Sequence, residues 1–189
     1  MRRKFVQMKP QLLILDFGSQ VRQLIARSVR EFGVYCEIVP GTISATELVG
    51  RQPKALILSG GPASVNELDA PQIDAEIFKL NLPVFGICYG MQLMAKHLGG
   101  KVGGWGGAGR ATEETREFGP ATLKVLKAVG PFSICRETPE LKVWMSHGDR
   151  VIELPTGFEV VGTSEGSPIA AFADEKRNLY GVQFHPEVH

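Results

Sequence analysis

The chain has 189 residues, 43% of them hydrophobic and 22% charged, which is typical of one globular domain. Its formal net charge of +1 gives no electrostatic basis for binding nucleic acid or an anionic membrane. No apolar run approaches the ~20 residues that span a bilayer, and no apolar core follows the basic residues 1–7, so neither a membrane span nor a signal peptide is expected. We therefore expect a cytoplasmic protein.

The first part of the chain alternates short apolar runs with helical patterns. We predict strands at 11–16, 35–39, 55–58 and 83–87, and helices at 21–32, 73–80 and 89–98. Continuous apolar runs of this length are typical of strands buried on both faces. The alternation predicts an α/β fold with a mostly parallel central sheet flanked by helices and joined by right-handed crossovers.

The second part of the chain changes character. Residues 103–109 are glycine-rich and predict a flexible loop. Beyond them we predict a smaller antiparallel region with strands at 121–126, 142–145, 158–163, 169–173 and 179–184. Because no repeat and no second core-forming segment is found, residues 1–189 are interpreted as a single domain.

The three cysteines are Cys36, Cys88 and Cys135, and their spacing predicts neither a disulfide framework nor a metal site. Cys88 lies in Gly86-Ile87-Cys88-Tyr89-Gly90, after a predicted strand and before a predicted helix. This pattern resembles a nucleophile elbow, in which a tight turn raises the reactive atom above the sheet. The positive end of the following helix would favour a thiolate. A small buried cysteine at a strand end is the alternative.

A nucleophilic thiolate that cleaves an amide needs a partner to move protons. Of the four histidines, His185 lies at the end of a predicted strand, two residues before Glu187. Residues i and i+2 of an extended segment face the same side, and Pro186 favours that conformation. We therefore predict that Glu187 orients His185, the base of Cys88. A solvated surface pair is the alternative.

Together, Gly-Ile-Cys-Tyr-Gly-Met-Gln (86–92) and His-Pro-Glu (185–187) resemble the class I, or triad, glutamine amidotransferases. The segments 16–20, 59–62, 143–149 and 180–187 are similar to the glutaminase part of the GMP synthase family. The resemblance runs in order from about Leu12 to the end of the chain. It implies a glutaminase that forms a cysteinyl thioester, with Cys88, His185 and Glu187 as the catalytic triad.

The resemblance also implies roles for five further residues. Gly61 and Tyr89 match the residues whose backbone N–H groups form the oxyanion hole. Gln92 matches a position that helps to hold the substrate L-glutamine. Ser146 and His147 match a segment that borders the glutamine pocket and meets the synthetase.

The partner implied by the resemblance is an ATP pyrophosphatase module, which uses ATP and Mg²⁺ to activate XMP for the ammonia. Nothing in the sequence supplies that module, so no cofactor and no metal are expected in this chain. Family members generally continue into another helix, whereas this sequence stops two residues after Glu187. The chain is therefore interpreted as either a natural subunit or a truncated domain.

Two other functions are compatible with these motifs. The glutaminase could serve another synthetase, for anthranilate, carbamoyl phosphate or CTP. A non-catalytic binding module with the same fold is the second, although the complete triad speaks against it.

Overall fold

The computed structural model describes residues 9–103 and 117–188. The predicted glycine-rich loop, apart from Gly103, lies outside the described residues, as do the basic N-terminus and the last residue. Within the described ranges, no helix has the length and apolar character needed to cross a membrane.

Three α-helices and eleven strands form the described part of the chain. The helices are α1 (Arg22–Glu31), α2 (Ala45–Arg51) and α3 (Tyr89–His97). The strands are β1 (Leu12–Asp16), β2 (Cys36–Pro40), β3 (Ala55–Leu58), β4 (Val84–Ile87), β5 (Lys101–Gly103), β6 (Glu117–Val125), β7 (Glu140–His147), β8 (Arg150–Glu153), β9 (Glu159–Thr163), β10 (Ala171–Asp174) and β11 (Leu179–Val182). Two short 3₁₀ helices occupy Ala75–Lys79 and Gly130–Cys135.

Nine of the strands form one sheet in the order β2-β1-β3-β4-β11-β10-β9-β6-β7. From β2 to β11 the neighbours are parallel, and from β11 to β7 they are antiparallel. Strands β5 and β8 form a separate antiparallel pair. The mixed sheet confirms the predicted α/β fold.

The parallel strands are buried on both faces because helices cover both sides of the sheet. On one face, Leu13 and Leu15 of β1 pack in a cluster that includes Leu48 of α2 and several residues of α3. On the other face, Ile14 packs with Ile25 of α1. Alternate residues of one strand therefore serve two cores, which explains the continuous apolar runs.

Several elements differ from the sequence prediction. The segment 73–80, predicted as a helix, contains only a 3₁₀ helix, which starts after its cap Asp74 and is followed by Asn81 in the left-handed region at φ 54°. This leaves room for little more than one turn. Helix α2 and strands β5 and β8 were not predicted. Strand β11, predicted in the antiparallel region, pairs antiparallel with β10 but parallel with β4.

Candidate active site

The carboxyl ends of β4 and β11 lie side by side. These strands are parallel neighbours, with Ile87 opposite Val182, and the N–H of Cys88 donates to the carbonyl of Val182 at 2.7 Å. One strand end therefore presents Cys88, and the other leads directly to His185. Ligands in open α/β folds bind at this edge of the sheet.

The backbone at Cys88 has the geometry of a nucleophile elbow. Its φ of 49° and ψ of −104° lie in a region that side chains other than glycine rarely adopt. A Cβ atom on Gly86 would lie 2.7 Å from the backbone N of Met91, and one on Gly90 would clash with the carbonyl oxygen of Leu58. Both glycines are therefore required for the strand, the turn and α3 to approach this closely.

The side chain of Cys88 is 5% exposed and lies at the N-terminal end of α3, with Cys88 as the capping residue. The partial positive charge of a helix N-terminus favours a negatively charged sulfur there. The sulfur lies 3.7 Å from the carbonyl oxygen of Ser146 and 3.6 Å from Nε2 of Gln183.

The imidazole of His185 lies between Cys88 and Glu187. Its Nδ1 is 2.9 Å from Oε1 of Glu187, whose side chain is only 2% exposed. The N–H of His185 donates to the carbonyl of Trp144 at 2.9 Å. Burial by itself lowers the pKa of His185, but hydrogen bonds with Cys88 and Glu187 and their negative charges outweigh it and raise the pKa to about 10. This favours an imidazolium beside a thiolate.

The loop after β3 brings Gly60 and Gly61 close to the elbow. The N–H of Gly90 donates to the carbonyl of Ser59 at 3.1 Å, which fixes the loop against the start of α3. A Cβ atom on Gly60 would lie 2.9 Å from Cε1 of His185, and one on Gly61 would lie 2.6 Å from the carbonyl oxygen of Phe17. The loop therefore fits only without side chains at these two positions.

The predicted oxyanion donors lie on the cavity next to the sulfur. Gly61 and Tyr89 both line it together with Cys88. In the described part of the chain, neither backbone N–H takes part in a hydrogen bond. Both amides are therefore available to a ligand oxygen.

The other predicted residues line the same cavity, which has a volume of about 850 Å³. Gln92 is buried at 3% exposure rather than exposed on its helix. Its Nε2 donates to the carbonyl of Asp149 at 2.7 Å. Ser146 faces the sulfur through its carbonyl oxygen, and His147 is buried, with Nε2 3.1 Å from Oε2 of Glu117.

Sequence reasoning missed two residues that contact the triad. Gln183 is fully buried against Cys88, and Gly60 lies against the ring of His185. A signal for Gln183 was present, since it lies two residues before His185 in an extended segment and so faces the same side.

An elbow thiol with a buried imidazole and carboxylate defines a cysteine hydrolase that acts through an acyl-enzyme. The family model "Glutamine amidotransferase class-I" matches residues 13–189. The chain belongs to the class-I glutamine amidotransferase family, as the resemblance implied.

The relatives found by comparison are named for one enzyme. The chain is 53% identical over 178 residues to "GMP synthase [glutamine-hydrolyzing]" of Bartonella henselae, covering 94% of this chain and 33% of that protein. It is 54% identical over 177 residues to the protein of the same name from Bacillus cereus strain G9842, with the same coverage. The chain thus spans about a third of these curated relatives and corresponds to their glutamine amidotransferase portion.

Solved structures share the fold. A GMP synthase subunit of Thermoplasma acidophilum has a TM-score of 0.78 at 30% identity, covering 96% of this chain and 86% of that chain. A glutamine amidotransferase of Thermotoga maritima has a TM-score of 0.70 at 22% identity, covering 96% and 77%, and shows the fold alone.

Proposed function

We propose that the chain hydrolyses L-glutamine to glutamate and ammonia through a thioester on Cys88, and that a synthetase module uses the ammonia to convert XMP to GMP. The observation that carries the first half is the His185 imidazole, held between Cys88 and buried Glu187 at the ends of two paired strands. The second half is supported by relatives named GMP synthase at about 50% identity.

The acylation step starts from the thiolate of Cys88 and the imidazolium of His185. The sulfur attacks the carboxamide carbon, and the carbonyl π electrons move to oxygen. The N–H groups of Gly61 and Tyr89 stabilise that oxyanion. As the C–N bond breaks, His185 gives its proton to the departing nitrogen, which leaves as ammonia.

Deacylation reverses these roles. Neutral His185 takes a proton from water, which attacks the thioester carbon, and the tetrahedral intermediate then expels the sulfur as a thiolate. Glu187 holds the Nδ1–H of the ring and stabilises the imidazolium, while the other ring nitrogen faces the reaction. The cycle restores the starting ion pair.

We assign the binding of the substrate to the wall formed by Gln92, Ser146 and His147. The Nε2 group of Gln92 is occupied by the carbonyl of Asp149, which leaves Oε1 for the substrate. The Nδ1 atom of His147 is buried and has no hydrogen-bond partner among the described residues, so it is available to a polar group of the ligand.

The proposed partner is an ATP pyrophosphatase domain or subunit, for which ATP and Mg²⁺ are required, whereas this chain needs no cofactor of its own. The support is that the chain spans a third of its curated relatives. We further propose that the pair works in the cytoplasm and involves neither nucleic acid nor a membrane.

The proposal is tested with an electrophilic glutamine analogue and with an ammonia-release assay. Mass spectrometry should find the label on Cys88 and not on Cys36 or Cys135, which are buried outside the cavity. Scattered or absent labelling, with no ammonia release, would favour a non-catalytic binding module.

The partner is tested separately by adding candidate synthetases to the chain. Glutamine-dependent amidation should appear with a GMP synthase synthetase module and XMP. Amidation only with the synthetases for anthranilate, carbamoyl phosphate or CTP would overturn the assignment of the partner and leave the glutaminase assignment intact.

A further inference from the structure

Gln183 is a buried glutamine that contacts the sulfur of Cys88 but has no part in the mechanism above. It follows β11 directly, and its side chain is 0% exposed. Its Nε2 lies 3.6 Å from the sulfur. A side-chain amide removed from water needs hydrogen-bond partners, so the orientation of this amide matters for both of its ends.

The partner at the other end fixes that orientation. Nε2 of Gln92 donates to the carbonyl of Asp149 at 2.7 Å and lies 3.4 Å from Oε1 of Gln183. A backbone carbonyl only accepts, so the group of Gln92 that faces Asp149 must be its NH₂. This NH₂ has two protons, one for each oxygen.

Gln183 must therefore present its oxygen to Gln92 and its NH₂ to Cys88. The flipped amide would place two NH₂ groups face to face and would leave an oxygen against the sulfur. The chain of bonds from Asp149 through both glutamines thus determines which atom reaches the nucleophile.

The direction of this amide has a chemical consequence for the sulfur. An NH₂ group donates and cannot accept, so it stabilises a thiolate more than a thiol. The carbonyl of Ser146, 3.7 Å from the sulfur, accepts from S–H and favours the opposite form. Among the described residues, the ionisable groups at this site are His185 and, behind it, Glu187.

We propose that Gln183 is a positioning residue, which holds the Cys88 sulfur as a thiolate facing the cavity, and that Gln92 sets the direction of its amide. The inference rests on the proposed function, in which Cys88 is the nucleophile. The same hydrogen bond also stabilises the sulfur when it leaves the thioester carbon.

Two substitutions of similar size test this inference. In Gln183→Met the donor is lost. In Gln183→Glu one oxygen still accepts from Gln92, but the other places negative charge against the sulfur. We expect iodoacetamide to alkylate Cys88 about tenfold more slowly near neutral pH in the first variant, and more slowly still in the second.

The readout is the modified Cys88 peptide in mass spectrometry, measured across pH. The difference from the parent chain should shrink at alkaline pH, because hydroxide then ionises the thiol without help. The matched control is Gln11→Glu, an exposed glutamine just before β1, at the opposite edge of the sheet, which should leave the rate unchanged.

Equal alkylation rates in folded Gln183→Met, folded Gln183→Glu and the parent chain would overturn the inference. If both variants unfold, NMR of the parent chain decides, because the side-chain NH₂ protons of Gln183 should resonate further downfield than in Cys88→Ala. Identical resonances would then overturn it. Alkylation needs no turnover, so a parent chain that alkylates normally but releases no ammonia would refute the proposed function instead.

Discussion

The parallel and antiparallel halves of the large sheet contribute to the cavity in different ways. In the parallel half, Cys88 and His185 follow the ends of two hydrogen-bonded neighbours, β4 and β11. Their proximity is a property of the ladder, because the register of these strands brings both ends to the same level. The chemistry is therefore held by backbone geometry.

The antiparallel half supplies a wall instead. At the end of β7, the carbonyl of Trp144 accepts from the N–H of His185, and that of Ser146 lies 3.7 Å from the sulfur. Side chains of this half, including exposed Phe118, line the cavity. The comparison indicates that one half carries the reaction and the other shapes the site around it. The predictions below test that division.

Cys88→Ala should have the largest effect. We expect glutamine hydrolysis to fall by at least ~10³-fold, because no other thiol among the described residues lines the cavity. Alanine is small enough for the turn, so thermal unfolding should change little. Steady-state ammonia release and calorimetry measure the two effects. Surviving turnover would remove Cys88 from the mechanism.

Glu187→Gln should have the next largest effect, a loss of roughly 10²-fold in kcat, and less than His185→Ala, since orientation is only part of the work of the base. The substitution removes the negative charge that helps to raise the pKa of His185. NMR titration of the imidazole should therefore show a lower pKa in the variant. A larger loss than that of His185→Ala would mean that Glu187 has another role.

The raised pKa of His185 also predicts how folding stability depends on pH. A group whose pKa is higher in the folded chain contributes stability fully below its unfolded pKa, near 6.5, and loses that contribution as pH rises through about 10. The thermal unfolding temperature of the parent chain should fall across this window. In Glu187→Gln the fall should be smaller, and an identical fall would contradict the pairing.

A pair of neighbouring glycines sharpens the comparison. In Gly60→Ala the new methyl group meets the ring of His185, so we expect activity to fall by about 10²-fold through displacement of the base. In Gly61→Ala it meets the backbone of Phe17, so we expect a loss of about 1–3 kcal/mol in the free energy of unfolding. Measuring both properties in both variants tests the assignment. Identical phenotypes would refute it.

Ser146→Ala should have the smallest effect. The contact with Cys88 uses the backbone carbonyl, which the substitution keeps, so kcat should remain within about threefold. If the hydroxyl binds glutamine as proposed, KM should rise by about tenfold, the worth of one hydrogen bond. A fall in kcat with unchanged KM would place the antiparallel wall in the chemical step.

Several missed elements have identifiable causes. Helix α2 is short, but Ser44 and Glu47 form a capping box that the sequence displays. Strands β5 and β8 are short edge strands, and their pairing depends on residues about 50 positions apart. That residues 1–189 form one domain, and that the named site residues have their assigned roles, stay predictions.

The sequence by itself determined the features that depend on neighbouring residues. The apolar runs predicted the buried parallel strands, and the glycines around Cys88 predicted the elbow, because local periodicity and steric access are written in consecutive positions. Only the tertiary structure decided that β11 lies beside β4, that Gln92 is buried, and that Gln183 reaches the sulfur. These features join distant parts of the chain, and their geometry follows from how the whole sheet packs.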